Sequence, residues 1–310
     1  MTNLRRSHRR RLCSFLADVL AGVRPSRKHT MKFGCCGNLV ARGDDRTGIE
    51  IVEAVASSGY DYIELPIAEM CALSDEQFGA LRMRVEAAGI PCEVCNNFFP
   101  PYMPITGPDA KLAELLEYVE FALTRAASLG ARVVVLGSGA SRNVPAGFSF
   151  LKAYEQLFEL CRAIAPIADR HGITIAIEPL RKPECNIINT FEDGVLLAKQ
   201  VSHPRIRVLV DYFHLAWEEE PVAHIAKYGK EFLAHVHLAN PNLLSEVGRI
   251  YPASMDEWDY APFIEALRAA DYEGRVSIEA GSSNVAHDIR QAIAFLRSSF
   301  DVRPHGHAMA

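Results

Sequence analysis

From Met31 onward, short runs of β-branched and apolar residues alternate with longer stretches in which apolar positions recur every three or four residues, and the alternation repeats eight times. The short runs predict strands at 32–36, 60–65, 92–96, 132–136, 174–178, 207–211, 233–238 and 275–279. The amphipathic stretches predict helices at 48–58, 75–88, 110–129, 150–171, 191–201, 222–228, 260–270 and 286–298. Gly59, Gly89, Gly130 and Gly172 stand at four equivalent joints where a helix ends and a strand begins.

Eight successive βα units predict an α/β fold of the closed (β/α)8, or TIM-barrel, kind, as a single domain over residues 31–300. An open doubly wound sheet is the alternative. It would carry a glycine-rich phosphate turn after its first strand, and Gly34-Cys35-Cys36-Gly37 lacks that spacing.

Composition narrows the class. With 310 residues, 49% hydrophobic, and a mean hydropathy of +0.02, the chain has matter for a large core. No apolar run approaches the roughly 18 residues of a membrane span. The net charge of -5 is uneven: eight basic residues against Asp18 give residues 1–30 a charge of +7, which leaves -12 on the remainder. An acidic body argues against a surface that neutralises nucleic-acid phosphates. Residues 1–30 read as a loosely attached basic extension and 301–310 as a flexible tail. The apolar stretch Leu12–Val23 has the look of a signal peptide, but Asp18 interrupts it. Eight scattered cysteines in a chain of this size read as thiols, so a reducing cytoplasm is the expected compartment.

In a barrel of this kind the chemistry collects at the carboxyl ends of the strands. Glu64, Glu178, Asp211, His237 and Glu279 stand at or near five of those ends. Any one of them reads equally well as a solvated charge. Together they do not: Glu178 follows Ile-Ala-Ile, Asp211 follows Val-Leu-Val and Glu279 follows Val-Ser-Ile, so each charge caps a run that should be buried and needs a partner. Three carboxylates and an imidazole converging on one mouth repel unless a cation sits among them, and that donor set suits Mn²⁺, Mg²⁺, Co²⁺ or Zn²⁺.

The same residues resemble the xylose-isomerase-like sugar isomerases and epimerases, and within them the ketose 3-epimerases acting on D-tagatose and D-psicose. The resemblance spans about residues 32–300. It rests on Glu178-Pro179-Leu180 with Glu184 and Asn189-Thr190, on Asp211-Tyr212-Phe213-His214, on His235-Val236-His237, and on Ser277-Ile278-Glu279. It implies that Glu178, Asp211, His237 and Glu279 hold one divalent metal ion, with Mn²⁺ first and Co²⁺ or Mg²⁺ as alternatives. It implies further that Glu184 and His214 touch substrate hydroxyls, that Glu178 and Glu279 exchange the proton from opposite faces of a keto-sugar's carbon, and that the chain assembles as a homodimer or tetramer. Glu64 is expected to face substrate as well.

One departure stands out. Relatives carry a substrate-orienting arginine in an Arg-x-x-Pro run a few residues after the metal histidine; here that run, Arg249-Ile250-Tyr251-Pro252, follows a longer loop. Arg249 is expected to fill the role in a reshaped pocket. Arg181 and Lys182 read either as loop charges or as holders of a phosphate or carboxylate. Cys92 and Cys95 have CxxC spacing but should face opposite sides of a strand. Gly137-Ser138-Gly139 reads as a tight turn, His235 as filling the barrel interior, and Phe98, Phe99, Tyr102, Trp217 and Trp258 as candidate walls for a sugar. Alternatives to a C3 epimerase are an aldose-ketose, inosose or hydroxypyruvate isomerase, a C-glycoside-cleaving lyase component, a DNA-repair nuclease of the same barrel class, and a non-catalytic sugar-binding barrel.

Overall fold

A computed structural model describes residues 31–242 and 248–301; the expected extension at 1–30 and the tail beyond 301 lie outside the described residues. Eight strands, β1 (Lys32–Cys36), β2 (Tyr62–Pro66), β3 (Cys92–Asn96), β4 (Val133–Leu136), β5 (Thr174–Ile177), β6 (Ile206–Asp211), β7 (Leu233–Leu238) and β8 (Arg275–Ile278), pair in parallel around a closed barrel, with β1 bonded to β8. This is the predicted (β/α)8 architecture. Among the described residues no helix is long and apolar enough to cross a membrane.

Local chemistry explains the boundaries. Ser74 and Thr190 open the helices Asp75–Ala87 and Phe191–Val201 with reciprocal capping boxes to Gln77 and Asp193. The four joint glycines all have positive φ, between 67° and 88°, and a Cβ at any of them would meet nothing, so they serve backbone conformation rather than packing. Gly229 shows the other use of glycine. The helix predicted to stop at 228 runs over Ala223–Phe232, and within it a Cβ on Gly229 would come within 2.9 Å of Ala270, so the bare backbone lets that neighbour approach. Among the described residues three α-helices went unpredicted, Ile67–Ala72 and Tyr212–Trp217 of six residues and Gly139–Arg142 of four, all too short to show a period.

The core has two shells. Tyr62, Val94, Val133, Val135, Ala176 and Leu209 fill the barrel interior, while a larger apolar layer binds the outside of the strands to the helices. Inside, Gly34 makes room for the Tyr62 ring, which a Cβ would strike at 2.2 Å. The strand alternation expected at Cys92 and Cys95 fails for a specific reason. Ile63 pairs with Cys92 and Glu64 with Val94, so Glu93 is an extra residue in β3. The bulge turns both thiols to the outer layer, with their Sγ atoms 4.0 Å apart.

Candidate active site

The strands deliver their charged ends to one point. β6 ends on Asp211, and the backbone N–H groups of Glu178 and Glu279, one residue past β5 and β8, still donate to Leu136 and Leu238, each at 3.1 Å. Asp211 also caps the helix it opens: its Oδ1 accepts from the Phe213 N–H at 2.7 Å, which leaves Oδ2 facing the barrel axis. Ligand atoms of Glu178, Asp211, His237 and Glu279 all lie within 4.8 Å of one another, and all four residues are buried. These are the four that the resemblance singled out.

Beneath them lies a polar layer of which the sequence pointed only to His235. Glu64 is fully buried, with Oε1 facing His237 Nε2 at 2.9 Å and Oε2 facing His235 Nε2 at 2.9 Å while accepting from Ser277 Oγ at 2.6 Å. Tyr62 and Ser277 hydroxyls close the layer at 2.7 Å. The expectation that Glu64 faces substrate is therefore corrected: both its oxygens are engaged below the mouth, and its work is to orient His237. Because an ionised carboxylate can only accept, Nε2 of His237 carries a proton and Nδ1 points up at Glu178 (3.2 Å) and Glu279 (3.3 Å).

Burial and charge pull the cluster in different directions. Burial raises Glu178 above the usual carboxylate value and pushes Asp211 up to about 7. Burial would raise Glu279 too, but Arg249 and His237 outweigh it and hold it well below the ordinary value. Burial disfavours the His237 imidazolium, yet Glu64 and Glu279 more than compensate and raise it well above an ordinary histidine. Arg249 is half of the balance. Its Nη1 bonds both Asp211 Oδ2 (2.8 Å) and Glu279, its Nη2 meets His214 Nε2 at 3.0 Å, and its guanidinium lies 4.4 Å from the Phe213 ring. The long loop returns it to the site through the paired backbones of Asn240 and Ile250.

The residues fit a divalent cation by donor chemistry. Three carboxylates exceed the one guanidinium that reaches them, and an imidazole held from behind by a carboxylate is the arrangement that orients metal-binding histidines. Glu178, Asp211, His237 and Glu279 would hold the ion.

A cavity of about 240 Å³ opens over the cluster, lined by Glu178, Glu279, Glu184, His214 and Arg249 together with Asn38, Leu39, Glu69, Asn97, Phe99 and the Ser138–Ser141 turn. That is below the roughly 300–1,000 Å³ of drug-sized sites and suits one small polar molecule. Phe99 alone of the expected aromatic walls lines it: Phe98 is buried beneath it, Tyr102 is exposed, Trp217 stacks on Arg181 at 4.3 Å and Trp258 donates to Tyr212 Oη at 2.8 Å. Arg181 and Lys182 are tied to Glu184 (2.6 Å) and Glu218 (2.8 Å). His235 sits inside the barrel, as expected.

Three contributors carried no sequence signal of a role. Asn38 donates from Nδ2 to Glu279 Oε1 at 2.7 Å. Arg142, fully buried, donates to the carbonyls of Leu136 (2.9 Å) and Glu178 (2.8 Å) and so clamps the ends of β4 and β5. Gly137 makes space for Glu178, whose Oε2 would lie 2.2 Å from a Cβ there. Gly137→Ala is expected to leave the melting temperature within a few degrees of the parent, since the atom it meets is the tip of a flexible side chain, but to lower kcat about tenfold or more by moving that carboxylate. Steady-state kinetics beside thermal unfolding check it; unchanged kcat would remove the cradle from the account.

Comparisons with known proteins agree with this fold. A D-psicose 3-epimerase of Ruminiclostridium cellulolyticum is 26% identical over 234 residues, covering 74% of this chain and 76% of that protein. A ketose 3-epimerase of Arthrobacter globiformis is 24% identical over 280 residues, covering 86% and 90%. Among solved structures, a D-psicose 3-epimerase crystallised in the presence of D-fructose superposes with a TM-score of 0.73 at 22% identity, covering 88% of this chain and all of that one. A 3-keto-D-glucoside 4-epimerase from E. coli superposes with a TM-score of 0.66 at 18% identity, covering 86% and 99%. These relatives are named epimerases, which are isomerases. The family model that matches residues 52–299 is that of the xylose isomerase-like TIM barrels, and the chain belongs to that enzymatic family.

Proposed function

We propose that this protein is a divalent-metal-dependent epimerase that inverts C3 of a keto-sugar. The observation that carries the reading is the placement of two carboxylates from strands three apart around the barrel, Glu178 after β5 and Glu279 after β8, at 3.2 and 3.3 Å from His237 Nδ1 and both lining one small cavity. A bound divalent cation supplies Lewis acidity, offsetting negative charge as it develops on the sugar's carbonyl and hydroxyl oxygens. The chain's own residues do the rest. One glutamate takes the proton from the carbon beside the carbonyl, and the other returns one to the opposite face. An isomerase that moves the carbonyl along the chain needs only one face. Arg249, His214 and Glu184 bracket the sugar's oxygens, Glu64 keeps the His237 ring in place, and Phe99 excludes water from one wall.

The E. coli relatives that act at C4 of keto-glycosides, together with the longer loop that carries Arg249, support a second reading in which the inverted carbon is C4 of a glycoside. Incubating metal-loaded protein with D-fructose, D-tagatose, D-psicose and a 3-keto-glucoside, then identifying products by chromatography, separates the two. C3 epimers of a free ketose are expected.

Metal loading has its own expected pH dependence. Protons on His237 Nδ1 and on Asp211, the latter held up to about 7, compete with the ion, so binding releases protons and Kd falls as pH rises from 6 to 8. Calorimetry of Mn²⁺ binding in buffers of different ionisation enthalpy checks both the sign and the proton count. A Kd independent of pH would argue against these ligands.

A further inference from the structure

We infer that the part of the cavity lying across the barrel mouth from β6 and β7 is a subsite for hydroxyl groups at the sugar's far end, with Glu69 as its specificity-determining residue; this rests on the keto-sugar reading above. Glu69 follows β2 and Asn97 follows β3, so the closed strand order places them opposite Asp211 and His237, and both line the cavity, as does Asn38 after β1.

The polar atoms there point to a ligand that donates hydrogen bonds. Glu69 Oε1 accepts from Asn97 Nδ2 at 3.3 Å, while its Oε2 is buried without a partner. Asn38 gives its Nδ2 to Glu279, and its Oδ1 is likewise buried without a partner. Two orphaned acceptors on one wall are a specific demand, because a buried acceptor left unpaired is costly and a pair of hydroxyl donors answers both. An anionic group answers neither. Of the residues that line the cavity, Arg249 and His214 are the cationic or titratable nitrogen groups; both stand across the mouth from Glu69, and Arg249 is already bonded to Asp211 and to Glu279, the carboxylate it shares with Asn38. Arg181 and Lys182, the sequence's candidates for holding an anion, are paired with Glu184 and Glu218. Arg46, whose field reaches Glu69, is exposed and leaves Oε2 unbonded. The substrate class is therefore a neutral ketose with free hydroxyls at the end away from the carbonyl, and a phosphate or carboxylate at that end is rejected.

The test uses the metal-loaded full-length enzyme with D-psicose, its 5-deoxy and 6-deoxy analogues, and its 6-phosphate. Wild type should lose about 10- to 100-fold in kcat/KM on at least one deoxy analogue, and at least as much on the phosphate. Glu69→Ala should bring D-psicose down to the level of that analogue without lowering the analogue itself, and Glu69→Gln, which keeps a carbonyl acceptor, should recover part of the loss. A uniform loss across all four sugars means a merely structural Glu69 and overturns the proposal, as does a wild type that prefers the 6-phosphate. If wild type turns over no ketose, the keto-sugar reading falls instead. Calorimetric titration of D-psicose and its 6-phosphate then still decides the subsite: tighter binding of the neutral sugar that Glu69→Ala abolishes supports it, and equal or tighter binding of the phosphate overturns it.

Discussion

Replacing either Glu178 or Glu279 with Gln is expected to lower kcat for ketose epimerisation by about 10²–10⁴-fold, the usual range for a positioned proton-transfer group, while the barrel stays folded. The folding half follows from the charges around each. Burial and its carboxylate neighbours already disfavour the charge on Glu178, so metal-free Glu178→Gln should melt no lower than the parent, whereas Glu279→Gln gives up the pairing with Arg249 and His237 that holds Glu279 ionised and should melt lower. The kinetic half has an internal signature. With one acid/base group left, abstraction from one face survives, so each variant should still exchange the C3 proton of one epimer with solvent while failing to interconvert the two. Loss of exchange from both epimers in both variants would mean that the glutamates act only as ligands.

The second large effect is expected at Glu64. Its carboxylate meets two buried imidazoles and a serine hydroxyl, and although burial opposes its charge, His237 and His235 hold it well below the ordinary carboxylate range. Glu64→Leu strands those partners in the barrel interior, where removing one member of a buried charged set costs about 3–5 kcal/mol. It also frees the His237 ring, and losing the group behind a metal histidine typically weakens metal affinity 10- to 100-fold. Chemical denaturation with and without Mn²⁺ measures both. A variant as stable as the parent, with the same Kd for the ion, would reduce Glu64 to a filler.

What the sequence revealed, and what it hid, follows from the range of the forces involved. Glu178, Asp211 and Glu279 were legible because each interrupts an apolar run, and a charge at the end of a buried strand is a local contradiction visible in a few residues. The four joint glycines were legible for the same reason. The depth of Glu64 was not, because which residues share a level inside a barrel depends on the stagger between strands, set by pairings such as Val210 with Val236 and Cys36 with Glu64. Glu93 shifted the alternation of β3 by a bulge, and nothing in Cys92-Glu93-Val94-Cys95 announces an unpaired residue. Asn38, Glu69, Asn97 and Arg142 lie on turns or short helices without periodicity, and their roles exist only once partners 28 (Glu69 with Asn97) to 241 (Asn38 with Glu279) residues apart in the chain are neighbours.

The whole account reduces to the fate of one hydrogen atom. D-psicose incubated with Mn²⁺-loaded protein in deuterated water, followed by proton NMR, locates the exchange. The account predicts deuterium at C3 in the newly formed epimer, dependent on the metal and abolished when Glu178 and Glu279 are both Gln. Deuterium at C1 or C4 with C3 untouched, or exchange that persists in the double variant, would contradict it.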